Sequence, residues 1–102
     1  MKKFTLYVGL NDKDSKVQEI STLEAFKMVN KVLLQYTEGA TVFEADGIYK
    51  HEDGTFTTEK TLRIELLFVE VQTVQSIVKI LKTVLNQESI AVQVQEIISE
   101  LW

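Results

Sequence analysis

The sequence predicts an α+β sandwich: four antiparallel strands with two helices packed on one face. Three observations predict it. Segments of alternating apolar character bracket two segments of helical period, a central Asp-Gly marks a hairpin, and the order reads strand, helix, two strands, helix, strand. With 102 residues there is room for one domain, 1–102, and one modest core.

The first strand is "FTLYVGL", in which Phe4, Leu6, Val8 and Leu10 alternate with Thr5, Tyr7 and Gly9. The first helix opens at Ser21, with Glu24 at capping-box spacing. Leu23, Phe26, Val29, Val32, Leu33 and Tyr36 then recur at helical period, and Gly39 is a natural stop. The second helix takes Thr73 as its expected cap, with Val74, Ile77, Val78, Leu81, Val84 and Leu85 on one face. The last strand alternates Val92 and Val94 with Gln93 and Gln95. Trp102, with Leu101 and Ile97, is expected to cover the core or to meet another subunit.

Asp53-Gly54 is a strong two-residue turn signal, since a type I′ turn needs positive φ at both positions. A turn placed there sets Ala45 opposite Leu62, Phe43 opposite Ile64 and Thr41 opposite Leu66 on one face. On the other face Glu44 meets Arg63 and Asp46 meets Thr61. The long arms predict a hairpin that projects beyond the sheet.

This order is that of a ferredoxin-like βαββαβ sandwich with sheet order 4-1-3-2. The loop after strand one, the hairpin tip and "LNQES" before strand four then share one end. Tyr7, Gly9, Gly47, Tyr49, Glu59, Lys60, Arg63, Gln87, Glu88 and Ser89 are the candidate ligand-binding residues there. Tyr49 offers a stacking face with a hydroxyl, and the glycines permit close backbone approach. Lys60 and Arg63 would meet an anionic group, while Gln87 and Ser89 would supply neutral hydrogen bonds. The other sheet face, with Tyr7, Val42, Leu67, Val69, Gln93 and Gln95, is apolar enough to suggest a homodimer or homotrimer.

The chain has no cysteine, and its one histidine, His51, stands on the turn without HExxH spacing, so neither a zinc site nor a catalytic triad is expected. "DKDSKV" from Asp12 lacks the glycine and the twelfth-position acid of a calcium loop. No cofactor is expected. A net charge of −4 with scattered basic residues argues against a nucleic-acid partner. The apolar run at the amino terminus is too short for an export signal or a membrane span, which makes a cytoplasmic protein without a membrane partner the simplest expectation.

Two resemblances follow from these residues. Leu6-Tyr7-Val8-Gly9, "GATVFEADGIY" from Gly39 to Tyr49, Asp53-Gly54, Glu59 and Gln87-Glu88-Ser89-Ile90 resemble the pattern of a family of small bacterial domains of unknown function. That likeness implies a shared fold and no particular activity. More distantly, the long central hairpin resembles PII-like signalling proteins and their CutA relatives, ferredoxin-like trimers. In PII proteins nucleotides bind between subunits, at the base of this loop and at a glycine-rich loop before the last strand. Here that loop reads "NQES", with neither glycine nor lysine. The expectation is a small non-enzymatic regulatory or sequestering domain that binds a small molecule, with a nucleotide as one candidate, at the loop end between subunits. An oligomeric interaction module without a ligand is the alternative. An enzyme using Glu59 or Glu88 as a general base ranks last.

Overall fold

The computed structural model describes residues 1–102. Its elements are β1 (Lys2–Gly9), α1 (Thr22–Tyr36), β2 (Thr41–Lys50), β3 (Phe56–Leu66), α2 (Val71–Val84) and β4 (Ala91–Glu96). The strands form one antiparallel sheet in the order β2-β3-β1-β4, the expected ferredoxin-like topology read from the other edge.

Period-two alternation decides which face the helices cover. Phe4, Leu6 and Val8 of β1 and Leu62, Ile64 and Leu66 of β3 are buried on that face. They pack against Ala25, Val29, Val32 and Leu33 of α1 and Val74, Ile77 and Leu81 of α2. Ser21 caps α1 as expected, accepting from the Glu24 N–H at 3.1 Å. The buried stripe of α1 is rotated from the expected one: Ala25 is fully buried, whereas Leu23, Phe26 and Tyr36 are exposed. Alanine lets the helix approach the sheet closely, and the larger side chains move to its margins. The second helix begins two residues before Thr73, with Glu70 at the cap position and no side-chain capping bond.

The hairpin register differs by one residue from the expected one. Phe43 pairs with Arg63, Glu44 with Leu62, Ala45 with Thr61 and Thr41 with Glu65. The cause lies in the turn. The His51 N–H donates to the Thr55 carbonyl, and the Gly54 N–H donates to the His51 carbonyl. Only Gly54 in this turn has positive φ, at 89°. Asp53-Gly54 therefore ends a three-residue loop, a type I turn closed by a left-handed glycine, instead of forming a type I′ pair. The slip exchanges the faces of β2. Val42 turns inward and packs against the core, while Thr41, Phe43, Ala45, Gly47 and Tyr49 join Tyr7, Glu59, Thr61 and Arg63 on the uncovered face. That face is not the expected apolar one, since Val69 also packs against the core.

Beyond Thr61 the hairpin has no pairing with β1, so Asp46–Lys50 and Phe56–Lys60 project past the sheet as expected. No helix is long and apolar enough to cross a membrane.

Candidate functional site

Gly9, Tyr49 and Glu59 meet where β1 ends and the hairpin begins to project. Gly9 pairs with Thr61, and Gly47 pairs with Glu59. The Glu59 carboxylate lies across Gly9, where any β-carbon would collide with it. It accepts the Asn11 N–H at 2.9 Å. The Tyr49 ring lies over Gly47, so that a β-carbon there would stand 3.2 Å from Tyr49 Cε2 and 3.1 Å from Thr61 Oγ1. Two glycines thus clear the space in which a tyrosine and a carboxylate are set side by side. Partial burial pushes the Tyr49 phenol above its ordinary value, and the negative charge of Glu59 and its capacity to accept from the phenol add to the rise.

The opposite wall comes from the β1–α1 loop and the α2–β4 turn. Asp12 Oδ1 accepts the Asp14 and Ser15 N–H groups, closing a local turn in which Lys16 has φ 66°. Asn86 ends α2 in the left-handed region, at φ 48°, and the Gln87 N–H reaches back to the Lys82 carbonyl. The Asn86 side chain donates to Asp12 Oδ2 at 2.7 Å and to Asp14 Oδ2 at 2.9 Å. These bonds, the Asn86 side chain's first, hold the Asp12 carboxyl below its ordinary range. Gln87 Nε2 donates to the Asn11 and Leu85 carbonyls at 2.7 and 3.2 Å.

Between the walls lies an open cleft of about 700 Å³. Of the ten candidate residues, Tyr7, Gly9, Tyr49, Glu59, Gln87, Glu88 and Ser89 line it. Gly47 lies beneath Tyr49. Lys60 and Arg63 are not in the cleft. Lys60 points to the helix side, 2.8 Å from Asp46 and 3.8 Å from Glu44. Arg63 lies against the Tyr7 and Phe43 rings, at 6.0 and 5.5 Å from their centroids, with Nη2 3.0 Å from Glu65. Both cations are held by carboxylates, and the register slip is what places Arg63 beside Phe43. Gln87 is also committed differently from expectation, because both its amide donors hold backbone carbonyls and only its oxygen is free.

The sequence reading missed Asn11, Asp12, Lys13, Lys16, His51 and Thr57, which also line the cleft. Lys13 and Lys16 are its basic residues, and His51 Nε2 is 2.7 Å from Thr57 Oγ1. The signal was available in the topology, which brings the Asn11–Lys16 loop to this end. The missed residues looked like ordinary loop polarity.

Comparison with solved structures places the fold among known ones. The chain is similar to a phage SAM lyase in complex with S-methyl-5'-thioadenosine, at 23% identity and TM-score 0.70, covering 93% of this chain and 80% of that one. It is also similar to the periplasmic divalent cation tolerance protein CutA from Archaeoglobus fulgidus, at 14% identity and TM-score 0.58, over 99% and 88% of the two chains. A third likeness is to the B. subtilis GlnK–ATP complex, a PII-like protein, at 17% identity and TM-score 0.58, over 94% and 82%. No curated protein sequence matches the chain. These likenesses show the ferredoxin-like fold. The first corrects the expectation of a non-enzymatic domain, because nearly the whole chain shares its architecture with an enzyme. At the level of sequence, residues 3–100 match the profile of the DUF3574 proteins of unknown function, and the chain belongs to that family.

Proposed function

We propose that this chain is a lyase acting on a sulfonium nucleoside of the S-adenosylmethionine type, bound in the cleft at the loop end. The observation that carries the reading is the Tyr49–Glu59 pair, set over Gly47 and Gly9 at the mouth of that cleft. Likeness to a lyase holding a thioether nucleoside supports the choice of ligand.

The chemistry suits the residues. A sulfonium ion already carries its leaving group: as an oxygen of the substrate's own carboxylate bonds to the aminobutyrate γ-carbon and closes a five-membered lactone, the bond from sulfur to that carbon breaks, its electron pair stays on sulfur and a neutral thioether departs. No strong acid is needed. The reaction needs the cation held, the nucleoside oriented and water kept away. Asp12, Glu59 and Glu88 supply carboxylates along the cleft, and Tyr49 supplies a face for the purine. Glu59, fixed by the Asn11 N–H, stands where a positive charge is best held. Lys13 and Lys16 suit the amino acid carboxylate. The cleft is open on the uncovered sheet face, and a second copy packed there would complete its wall.

The test is direct. Purified protein incubated with S-adenosylmethionine should release S-methyl-5'-thioadenosine, followed by chromatography. Glu59→Gln and Tyr49→Phe should each lower the rate by about 10-fold or more. Absence of the product, together with no thermal shift from S-methyl-5'-thioadenosine at millimolar concentration, would remove the proposal. A shift with ATP in its place would favour a nucleotide-binding role.

A further inference from the structure

The edge strand β4 is paired with β1 on one side only, and its inward-facing Val92 and Val94 remain 43% and 53% exposed. They and Phe4 form one wall of a groove of about 530 Å³ whose other wall is α2, with Val71, Val74 and Val78. Lys79 and Lys82 stand at this groove, and neither is in an ion pair. The carboxy-terminal tail has the opposite character. Ile98, Leu101 and Trp102 are almost wholly exposed, and Glu100 gives the segment negative charge. An apolar groove with free cations and an apolar acidic tail therefore stand unpartnered on one chain.

The tail does not reach its own groove. The Ile97 N–H donates to the Met1 carbonyl, and Leu101 lies at the Tyr36–Thr41 and Leu67–Glu70 side of the molecule. We infer that the groove between α2 and β4 receives the tail Ile98–Trp102 of a second copy of this chain. The apolar side chains of the tail cover Val92 and Val94, and Glu100 meets Lys79 and Lys82. A free strand edge is also a place where a peptide segment adds to a sheet. The contact is head-to-tail, so it closes into a ring or continues as a chain of subunits.

Trp102 is the only tryptophan, so its emission reports the docking. In the full-length protein the emission should shift to the blue as concentration rises from about 1 μM to about 300 μM, in step with sedimentation. Lys79→Glu with Lys82→Glu should abolish the shift and weaken association by about 10-fold or more. Both lysines are exposed, so the fold should survive, as circular dichroism would show. Mixing that double variant with Glu100→Lys chains should restore the shift. A shift independent of concentration would mean that the tail docks on its own chain. Association with Trp102 still in water, or no association at all, would equally overturn the inference.

Discussion

A β-carbon built on Gly9 would stand 2.5 Å from Glu59 Oε1, so the place of the carboxylate depends on the absence of a side chain at Gly9. What collides is the end of a flexible side chain, which can swing aside. Gly9→Ala should therefore cost little stability, about 1 kcal/mol or less, yet displace Glu59 from the Asn11 N–H. The expected result is a near-normal melting temperature with turnover or nucleoside affinity reduced by about 10-fold or more. Melting curves and titration calorimetry with S-methyl-5'-thioadenosine would check both halves.

The titration of Tyr49 provides a second test. Its pKa is raised by burial first and by Glu59 second, so the folded state favours the protonated phenol. That contribution is fully present below the unfolded value of about 10 and is lost as pH rises through the higher folded value. Glu59→Gln should bring the ionisation of Tyr49 to lower pH, though not the whole way, because burial remains. Absorbance near 295 nm, compared with a Tyr49→Phe variant, isolates this tyrosine from the other two.

At the acid end the sign reverses. Asp12, Asp53 and Glu65 are all held below their ordinary values: Asp12 chiefly by Asn86, Asp53 chiefly by Thr55 and Glu65 chiefly by Lys3. Their stabilising contribution is present above the ordinary values of 3.8 for the aspartates and 4.5 for Glu65, and is lost as pH falls through the lower folded values. Denaturant midpoints should be flat near neutrality and fall below about pH 4.5. In Asp12→Asn that fall should be shallower.

Asn86 separates backbone from side-chain effects. It combines a left-handed backbone with two side-chain bonds to the β1–α1 loop. Asn86→Ala should lose both and cost about 1–2 kcal/mol, whereas Asn86→Gly relieves the backbone and should cost less. Gln87→Ala removes the bond to the Asn11 carbonyl and should cost about 1 kcal/mol. Urea unfolding of the three variants would rank them.

The hairpin turn gives a further check. Gly54 is the one residue there with a left-handed backbone, so Gly54→Ala should destabilise by about 1 kcal/mol and Gly54→Asn by less. Equal costs for the two would contradict the left-handed backbone at Gly54.

These residues also show how far the sequence could be read. Alternation and helical period fixed the order of elements and, with the hairpin, the sheet order, because each pattern is a direct record of which face is buried. Register was harder, because Asp53-Gly54 fits either a two-residue or a three-residue turn and the pair of residues looks the same in both. One residue then moved Val42 to the core and Phe43 to the open face. The same slip set Phe43, in place of Glu44, beside Arg63. Seven of the ten proposed site residues still line the cleft, because topology rather than register brings the loops together. Lys13 and Lys16 were passed over since nothing in their spacing distinguishes a basic residue facing a cleft from one facing water.

The projecting hairpin has an unequal effect on the two jaws of the cleft. Asn11, Asp12 and Gln87 are stitched to the body by bonds spanning most of the chain's length. Tyr49, His51 and Thr57 ride on a two-stranded ribbon whose only ladder partner is itself. Such ribbons open at lower free energy than strands held on both sides. Amide exchange should therefore be fast at the ribbon's outer rungs and slow at Leu62–Leu66, and an occupant gripped by both jaws should slow it selectively at Ile48–Lys50 and Thr57–Glu59. The outer hairpin would then serve as a built-in gauge of occupancy, legible in exchange rates before any ligand is seen.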